Sequence, residues 1–235
     1  MVIEMNIVEL LTHFNLTRQE AAIYTTLLTE GELNGYEVAK LTGISRSNTY
    51  TSLAGLVEKG AAYIIEGTTT RYTPVGIAEF CENKIRYLQQ VKEDLVKNMP
   101  DKREEAEGYI TIKGEKHILD KMKNMLVEAK ERVYLSVSKK ILHAIGEELK
   151  DGLLRGLKVV IITNEPYELT GVTVYYTEKN QDEIRLIADS KNVLTGDITE
   201  GDNSTCLYSQ KKNLVDLFKD SLKNEIKLIE IMKGK

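Results

Sequence analysis

Arg46, Ser47, Asn48 and Thr51 carry side chains suited to recognition rather than to bond making. A guanidinium can bridge O6 and N7 of guanine, a carboxamide can pair with N6 and N7 of adenine, and short hydroxyls reach phosphate or base edges. Such groups are useful only when one rigid element holds them together. Leu53, Leu56 and Val57 recur as the inward stripe of a helix, which leaves Arg46, Ser47, Asn48 and Thr51 on its outer, N-terminal face. Ser45 stands at the N-cap position and Gly60 where the helix must stop. Just before it, Gly43 takes a positive φ at little cost and Ile44 points into the angle between two helices. This is the pattern of a helix-turn-helix, in which the first helix braces the second and the second offers its first residues to a major groove. An ordinary helical hairpin with a solvated polar face fits the same residues.

The residues that follow separate the two readings. Residues 61–65 read as a strand, 66–70 form a turn, and Arg71-Tyr-Thr-Pro74 returns. A hairpin directly behind a recognition helix is a wing, with Arg71 and the tip threonines placed to meet phosphates. Upstream, Ile7, Val8, Leu10, Leu11 and Phe14 make an amphipathic helix. Thr17 and Glu20 form a capping box for the next, whose expected inner face is Ala21, Tyr24, Leu27 and Leu28. Asn34 caps a short helix holding Tyr36, Val38, Ala39 and Leu41.

Past the wing, Ile77, Phe80, Cys81, Ile85, Leu88, Val91, Leu95 and Met99 recur at steps of three and four. Pro100 and the charged segment 101–107 end that long helix. Its stripe either packs on its own domain or pairs with a second copy. Pairing would set two recognition helices about one DNA turn apart on a pseudo-palindromic site. From residue 108 strands alternate with helices: strands at 109–112, 132–137, 157–163, 172–177, 184–189, 193–197 and 205–209. One helix is built on Ile118, Leu119, Met122, Met125, Leu126 and Ala129, another on Ile141, Leu142, Ile145, Leu149 and Leu153, and a closing helix spans 214–232. The expected fold class is multidomain α+β: a winged helix at 1–74, a dimerisation helix and linker at 75–107, and an α/β domain at 108–235.

The 235 residues carry a formal charge of −4, and the first hundred hold nine basic against twelve acidic side chains. That balance excludes a general nucleic-acid coating protein. Selective, salt-dependent binding then requires Arg18, Lys40, Arg46, Lys59 and Arg71 to share one face. Cys81 and Cys206 lack disulfide or metal spacing and read as small apolar residues, so no metal is expected. The amino terminus lacks a cationic-then-apolar leader, and no stretch is long and apolar enough to span a bilayer; a soluble cytoplasmic protein is expected. No Gly-rich phosphate loop, Gly-x-Ser-x-Gly elbow or His-Glu-x-x-His pair occurs, and no cofactor is expected. Glu104-Glu105 and Glu147-Glu148 read as solvated helix faces.

Residues 16–97 resemble the TrmB family of transcriptional regulators. The resemblance rests on Leu-Thr-Arg-Gln-Glu-Ala-Ala-Ile-Tyr, Gly-Ile-Ser-Arg-Ser-Asn-Thr-Tyr, Leu-Val-Glu-Lys-Gly and Arg-Tyr-Thr-Pro. It implies that Ser45, Arg46, Ser47, Asn48 and Tyr50 begin the recognition helix, with Tyr50 open to a packing role instead. It also implies that the second domain is similar to one half of a phospholipase D fold and acts as a sensor, often of sugars. A phospholipase D centre needs His-x-Lys-x4-Asp and a Gly-Ser-x-Asn tail. Asp189 and Gly196 fit that spacing, but Asp182, Ile184, Asp197 and Thr199 replace the histidine, lysine, serine and asparagine. None of His13, His117 or His143 is followed by the required lysine, and a carboxylate in place of the nucleophile would repel phosphate. An effector would bind at strand ends, where Ser136, Ser138, Thr163 and Asn164 are the candidates, or else these residues only cap turns. The expectation is a homodimeric, effector-controlled, DNA-binding regulator and not an enzyme. The alternatives are a phosphodiesterase-like hydrolase with a targeting module and a protein-binding adaptor.

Overall fold

In a computed structural model the described residues are 6–100, 108–178, 182–199 and 203–233, so the charged segment expected to end the long helix lies outside them. The chain divides into two compact units, Met1–Asp101 and Lys102–Lys235.

The first unit begins with α1 (Ile7–His13), α2 (Arg18–Glu30), β1 (Leu33–Asn34), α3 (Gly35–Thr42) and α4 (Arg46–Glu58). It continues with β2 (Ala62–Ile65), β3 (Arg71–Pro74) and α5 (Ile77–Asn98). Both predicted caps form. Thr17 and Glu20 satisfy each other's free amides at the start of α2, and Asn34 and Glu37 do the same for α3. Gly43 lies in the left-handed region at φ 69°, which lets the chain turn between α3 and α4 within three residues. The hairpin β2–β3 gains a third strand, β1, whose two residues pair with Tyr72 and Arg71. Two residues are too few for an alternating pattern to announce them. Tyr24, Ile23, Leu27, Val38, Leu53 and Leu56 form the fully buried centre. The Tyr24 hydroxyl donates to the Val75 carbonyl at 2.7 Å, tying α2 to the end of the wing. Leu28, expected on the inner face of α2, is exposed, because its neighbour Leu27 already points into the core.

The second unit is a seven-stranded mixed sheet in the order β4-β10-β9-β8-β5-β6-β7. Its strands are β4 (Tyr109–Lys113), β5 (Arg132–Ser136), β6 (Lys158–Thr163), β7 (Thr173–Tyr176), β8 (Glu183–Ala188), β9 (Asn192–Asp197) and β10 (Thr205–Ser209). Strands β5, β6 and β7 run parallel, and the other pairings are antiparallel. Side-chain alternation assigns the two faces. Ile184, Leu186 and Leu194 meet α6 (Glu115–Glu128), α7 (Lys139–Ala144) and α8 (Gly146–Leu154), while Ile187, Val193 and Ile162 meet α9 (Lys212–Lys233). The helix expected to run unbroken through Ile141 and Leu153 is two helices, with Ile145 between them at φ −114° and ψ 14°. Gly146 follows at once, and glycine weakens a helix interior. Ile145 stays fully buried, so the apolar stripe survives the break that it conceals. Among the described residues, no helix is long and apolar enough to cross a membrane.

Two carboxylates make these units sensitive to acid. Burial pushes Glu20 upward, but hydrogen bonds from Lys59 and Thr17 and the charge of Lys59 outweigh it and lower the pKa. Burial likewise opposes ionisation of Asp189, and the backbone N–H groups of Arg132, Lys130 and Glu131 outweigh it. A lowered folded-state pKa contributes stability above the unfolded-state value and loses it as pH falls through the folded one. With ordinary values of 4.5 and 3.8, denaturant midpoints should fall progressively below about pH 4.5. Glu20→Gln should flatten part of that slope. Midpoints that stay level from pH 5 to pH 3 would contradict this assignment.

Candidate nucleic-acid interface

The N-terminus of α4 is built by its own buried side. Thr49 is fully buried and its hydroxyl donates to the Ser45 carbonyl at 3.0 Å, while Ser52, Leu53 and Leu56 press into the core. That side fixes the roll of the helix. Arg46, Ser47, Asn48 and Thr51 are consequently all exposed on the opposite face, as the sequence placed them. The Asn48 amide donates to the Ser45 hydroxyl at 3.4 Å, so Ser45 serves as the N-cap. The Thr51 hydroxyl donates to the Ser47 carbonyl at 3.1 Å and keeps its acceptor capacity.

Two aromatic residues complete this face. Tyr50 lies with its ring against Gly35, where an added Cβ would come within 2.5 Å of the ring. It therefore clamps the start of α3 onto α4 while its other side stays exposed. Tyr36, the next residue along, is 54 % exposed, and the Arg46 guanidinium carbon sits 4.9 Å from its ring centroid. Tyr36 was expected within this short helix, with no face assigned to it. The burial of Val38 and the exposure of Tyr36 and Leu41 show that the inward stripe of this short helix is narrower than its apolar content.

The expected basic face is reduced. Arg18 pairs with Glu9 at 3.3 Å, and Lys59 is drawn inward to the buried Glu20 at 2.6 Å. Arg71 is held within the domain: Nη2 donates to the Glu32 carbonyl at 2.8 Å and lies 3.6 Å from Glu37. Its Nε is 2.6 Å from Glu32 but off the N–H axis, so that contact is ionic and not a hydrogen bond. Arg71 thus fastens the wing to the α2–α3 junction, with its side chain still 37 % exposed. Its anchors could not be read from the sequence, because Glu32 and Glu37 are brought to it only by the β1–β3 pairing. Among the described residues, Lys40 and Arg46 hold no ion pair and keep their charge outward.

Along α5 the expected dimerisation stripe divides. Phe80 is only 2 % exposed and stacks with Phe14 and Tyr24 at centroid distances of 6.2 and 5.5 Å, so it belongs to the core. Cys81 packs half-buried against the same cluster, which raises its thiol pKa. Beyond that first turn the helix leaves its domain, and Ile85, Leu88 and Leu95 are 48, 53 and 56 % exposed. Ile77 is exposed as well, and Val91 is half-buried.

In the second unit a cavity of about 180 Å³ opens at the end of β5, lined by Glu115, Leu119, Ser138, Lys140, Asp182 and Ile198 among others. Ser138 alone of the four suspected effector residues lines it; it is 5 % exposed and makes no side-chain cap to α7. Ser136 and Thr163 are fully buried in their strands. The Asn164 carboxamide oxygen accepts the Lys139 amide at 3.3 Å, the capping role that was the alternative for such residues. Asp182, at the position where the resemblance would put a histidine, lines this cavity, whereas Ile184 is fully buried and Asp189 caps the backbone at the other end of β8. Cys206 is buried, and desolvation pushes its thiol up to about 12.

A winged helix whose second helical face is polar, joined in one chain to a mixed α/β domain, has the build of a regulatory protein. Residues 10–78 match the family described as sugar-specific transcriptional regulator TrmB, and residues 108–224 match the EBD N-terminal subdomain of transcriptional regulator TrmB. The chain belongs to the TrmB family. It is 28 % identical over 240 residues to the uncharacterized protein YrhO of Bacillus subtilis (strain 168), covering 97 % of this chain and 87 % of that one. It is 30 % identical over 173 residues to the putative HTH-type transcriptional regulator TrmBL2 of Pyrococcus furiosus, 66 % of either chain. A solved structure of TrmBL2, an archaeal chromatin protein, aligns at 23 % identity and a TM-score of 0.46 over 94 % of this chain and 97 % of that one.

Proposed function

We propose that this protein is a sequence-selective, double-stranded-DNA-binding transcriptional regulator that acts as a homodimer under control of a small-molecule effector. The observation that carries the reading is the exposed Arg46, Ser47, Asn48 and Thr51 face at the N-terminus of α4, opposite a fully buried side. In this division of labour residues 1–74 bind DNA, 75–107 dimerise and 108–235 sense. Ser45 caps and Tyr50 packs, while Arg46 and Asn48 read base edges. Arg71 orients the wing.

The dimer reading rests on Ile85, Leu88 and Leu95, which are about half exposed along α5. A second copy of the same helix would cover them symmetrically and give a pseudo-palindromic site. The cavity beside Ser138 is the place favoured for the effector, a sugar being the ligand class that the family description suggests. An effector that favours one of two dimer geometries by about 1–3 kcal/mol would suffice to switch occupancy. The hydrolase alternative would need a nucleophile where Asp182 puts a carboxylate in the cavity.

Sedimentation equilibrium paired with a mobility-shift titration tests this reading. The wild type should sediment as a dimer and shift a pseudo-palindromic duplex as one species. Leu88→Glu loses apolar burial of about 1.5–3 kcal/mol per copy and sets two carboxylates face to face, so it should be monomeric and bind at least roughly tenfold more weakly. A Leu88→Glu protein that remains dimeric with unchanged DNA affinity would place the interface elsewhere.

A further inference from the structure

The geometry points to Tyr36 as a specificity-determining positioning residue: its ring holds the Arg46 guanidinium in a reading orientation before DNA arrives. This rests on α4 being the recognition helix, as proposed above, and adds a residue outside that helix to its reading apparatus.

The Tyr36 and Glu37 amides donate to the Asn34 side chain at 3.0 and 2.9 Å, and the Asn34 amide donates to Glu37 at 2.8 Å. These three bonds fix the backbone that carries Tyr36. Gly35 is buried under the Tyr50 ring with no room for a Cβ, which sets the distance between the start of α3 and the second turn of α4. Arg46 and Tyr50 are four residues apart and so lie on one face of α4. The contact that seats Tyr50 on Gly35 therefore brings Tyr36 beneath Arg46, where the guanidinium carbon is 4.9 Å from the ring centroid, within the range of a cation–π contact.

A long, exposed arginine loses side-chain freedom when it binds, and that loss opposes recognition. A guanidinium already resting on an aromatic ring has lost part of that freedom in the unbound protein. Arginine is suited to this because it binds through its charged plane while its N–H edge remains available to paired acceptors on a base. Tyr36 is itself exposed, so the stack is not required for the domain to fold.

The test is a double-mutant cycle read out by base preference. The wild type, Tyr36→Ala, Tyr36→Phe, Arg46→Ala and Tyr36→Ala/Arg46→Ala proteins are each used to select duplexes from a random pool. Affinities are then measured for the preferred duplex and its single-base variants. Tyr36→Ala should lower preference by about two- to fivefold per half-site, at the same base positions that Arg46→Ala flattens. Tyr36→Phe keeps the ring and should keep the preference. In the Arg46→Ala background Tyr36→Ala should add nothing. The proposal is overturned if Tyr36→Ala weakens all duplexes equally, changes preference at other bases, or adds its full effect without Arg46. Preference altered by Arg46→Ala but untouched by Tyr36→Ala overturns the positioning role alone. Preference unaltered by Arg46→Ala overturns the reading of α4 and this role with it.

Discussion

Arg46→Ala is expected to weaken binding to the preferred duplex by roughly tenfold per half-site, about a hundredfold for a dimer, and to erase preference at one or two base pairs of each half-site. The size follows from the pairing that is lost, since a bidentate arginine–guanine contact discriminates by about 1–3 kcal/mol. Location makes Arg46 the candidate. It is exposed, it has no carboxylate partner among the described residues, and it lies one residue inside the N-cap of the helix whose other side is fully buried. Arg18, Lys59 and Arg71 are committed to Glu9, Glu20 and Glu32, so they cannot replace it without breaking contacts within the domain. Removing an exposed side chain of this kind should leave thermal stability almost unchanged. Equilibrium mobility shifts on matched and single-base-altered duplexes, with a melting curve as control, measure both halves of the prediction.

Gly196→Ala should destabilise the α/β unit by roughly 3 kcal/mol or more. Gly196 has φ 155°, at the margin of the region that side chains avoid, and sits in β9 between two antiparallel neighbours, paired with Cys206 on one side and Ile184 on the other. An added Cβ would strike the Thr205 carbonyl oxygen, lie 2.6 Å from the Cys206 Cα and lie 2.8 Å from its sulfur. Two of those obstacles are backbone atoms of a paired strand, which can retreat only by breaking the ladder. Gly152→Ala is the control. Its Cβ would meet the flexible end of Leu157 at 2.9 Å, and the small shift required should cost far less. Urea unfolding followed by circular dichroism should show a lower midpoint for Gly196→Ala and a nearly normal one for Gly152→Ala. Equal midpoints would mean that β9 is more yielding than its pairing indicates.

Gly196 also illustrates what sequence shows and what it hides. The resemblance drew attention to Gly196 and to Asp182 by their spacing from Asp189. That Gly196 is demanded by a neighbouring strand, and Asp189 by three backbone amides of β5 and the residues before it, was not legible, because both reasons lie in residues distant in sequence. The same division runs through the first unit. Thr17 with Glu20, Asn34 and Gly43 act within a few residues, and their roles followed from local rules. Phe80 and Leu88 share one helical stripe, yet one is core and the other exposed, since the domain ends partway along α5. Periodicity finds such a stripe without saying how far its cover extends. The anchors of Arg71 and the Tyr36–Arg46 contact were hidden for a related reason, as they are set by β1 pairing and by the Tyr50–Gly35 contact. Ser138 was singled out by its position at a strand end, while Glu115 and Lys140, which line the same cavity, carried no signal because charged residues in first helical turns are common.

The central claim is that the outer face of α4 reads DNA. Selection of binders from a random pool of duplex DNA by the wild-type protein, with Arg46→Ala and Asn48→Ala run in parallel, tests it most directly. The wild type should enrich a pseudo-palindrome whose half-sites are about one helical turn apart, and each variant should lose preference at different positions within the half-site. A wild-type pool that stays random after repeated rounds, or an enriched motif that both variants reproduce unchanged, would contradict the account.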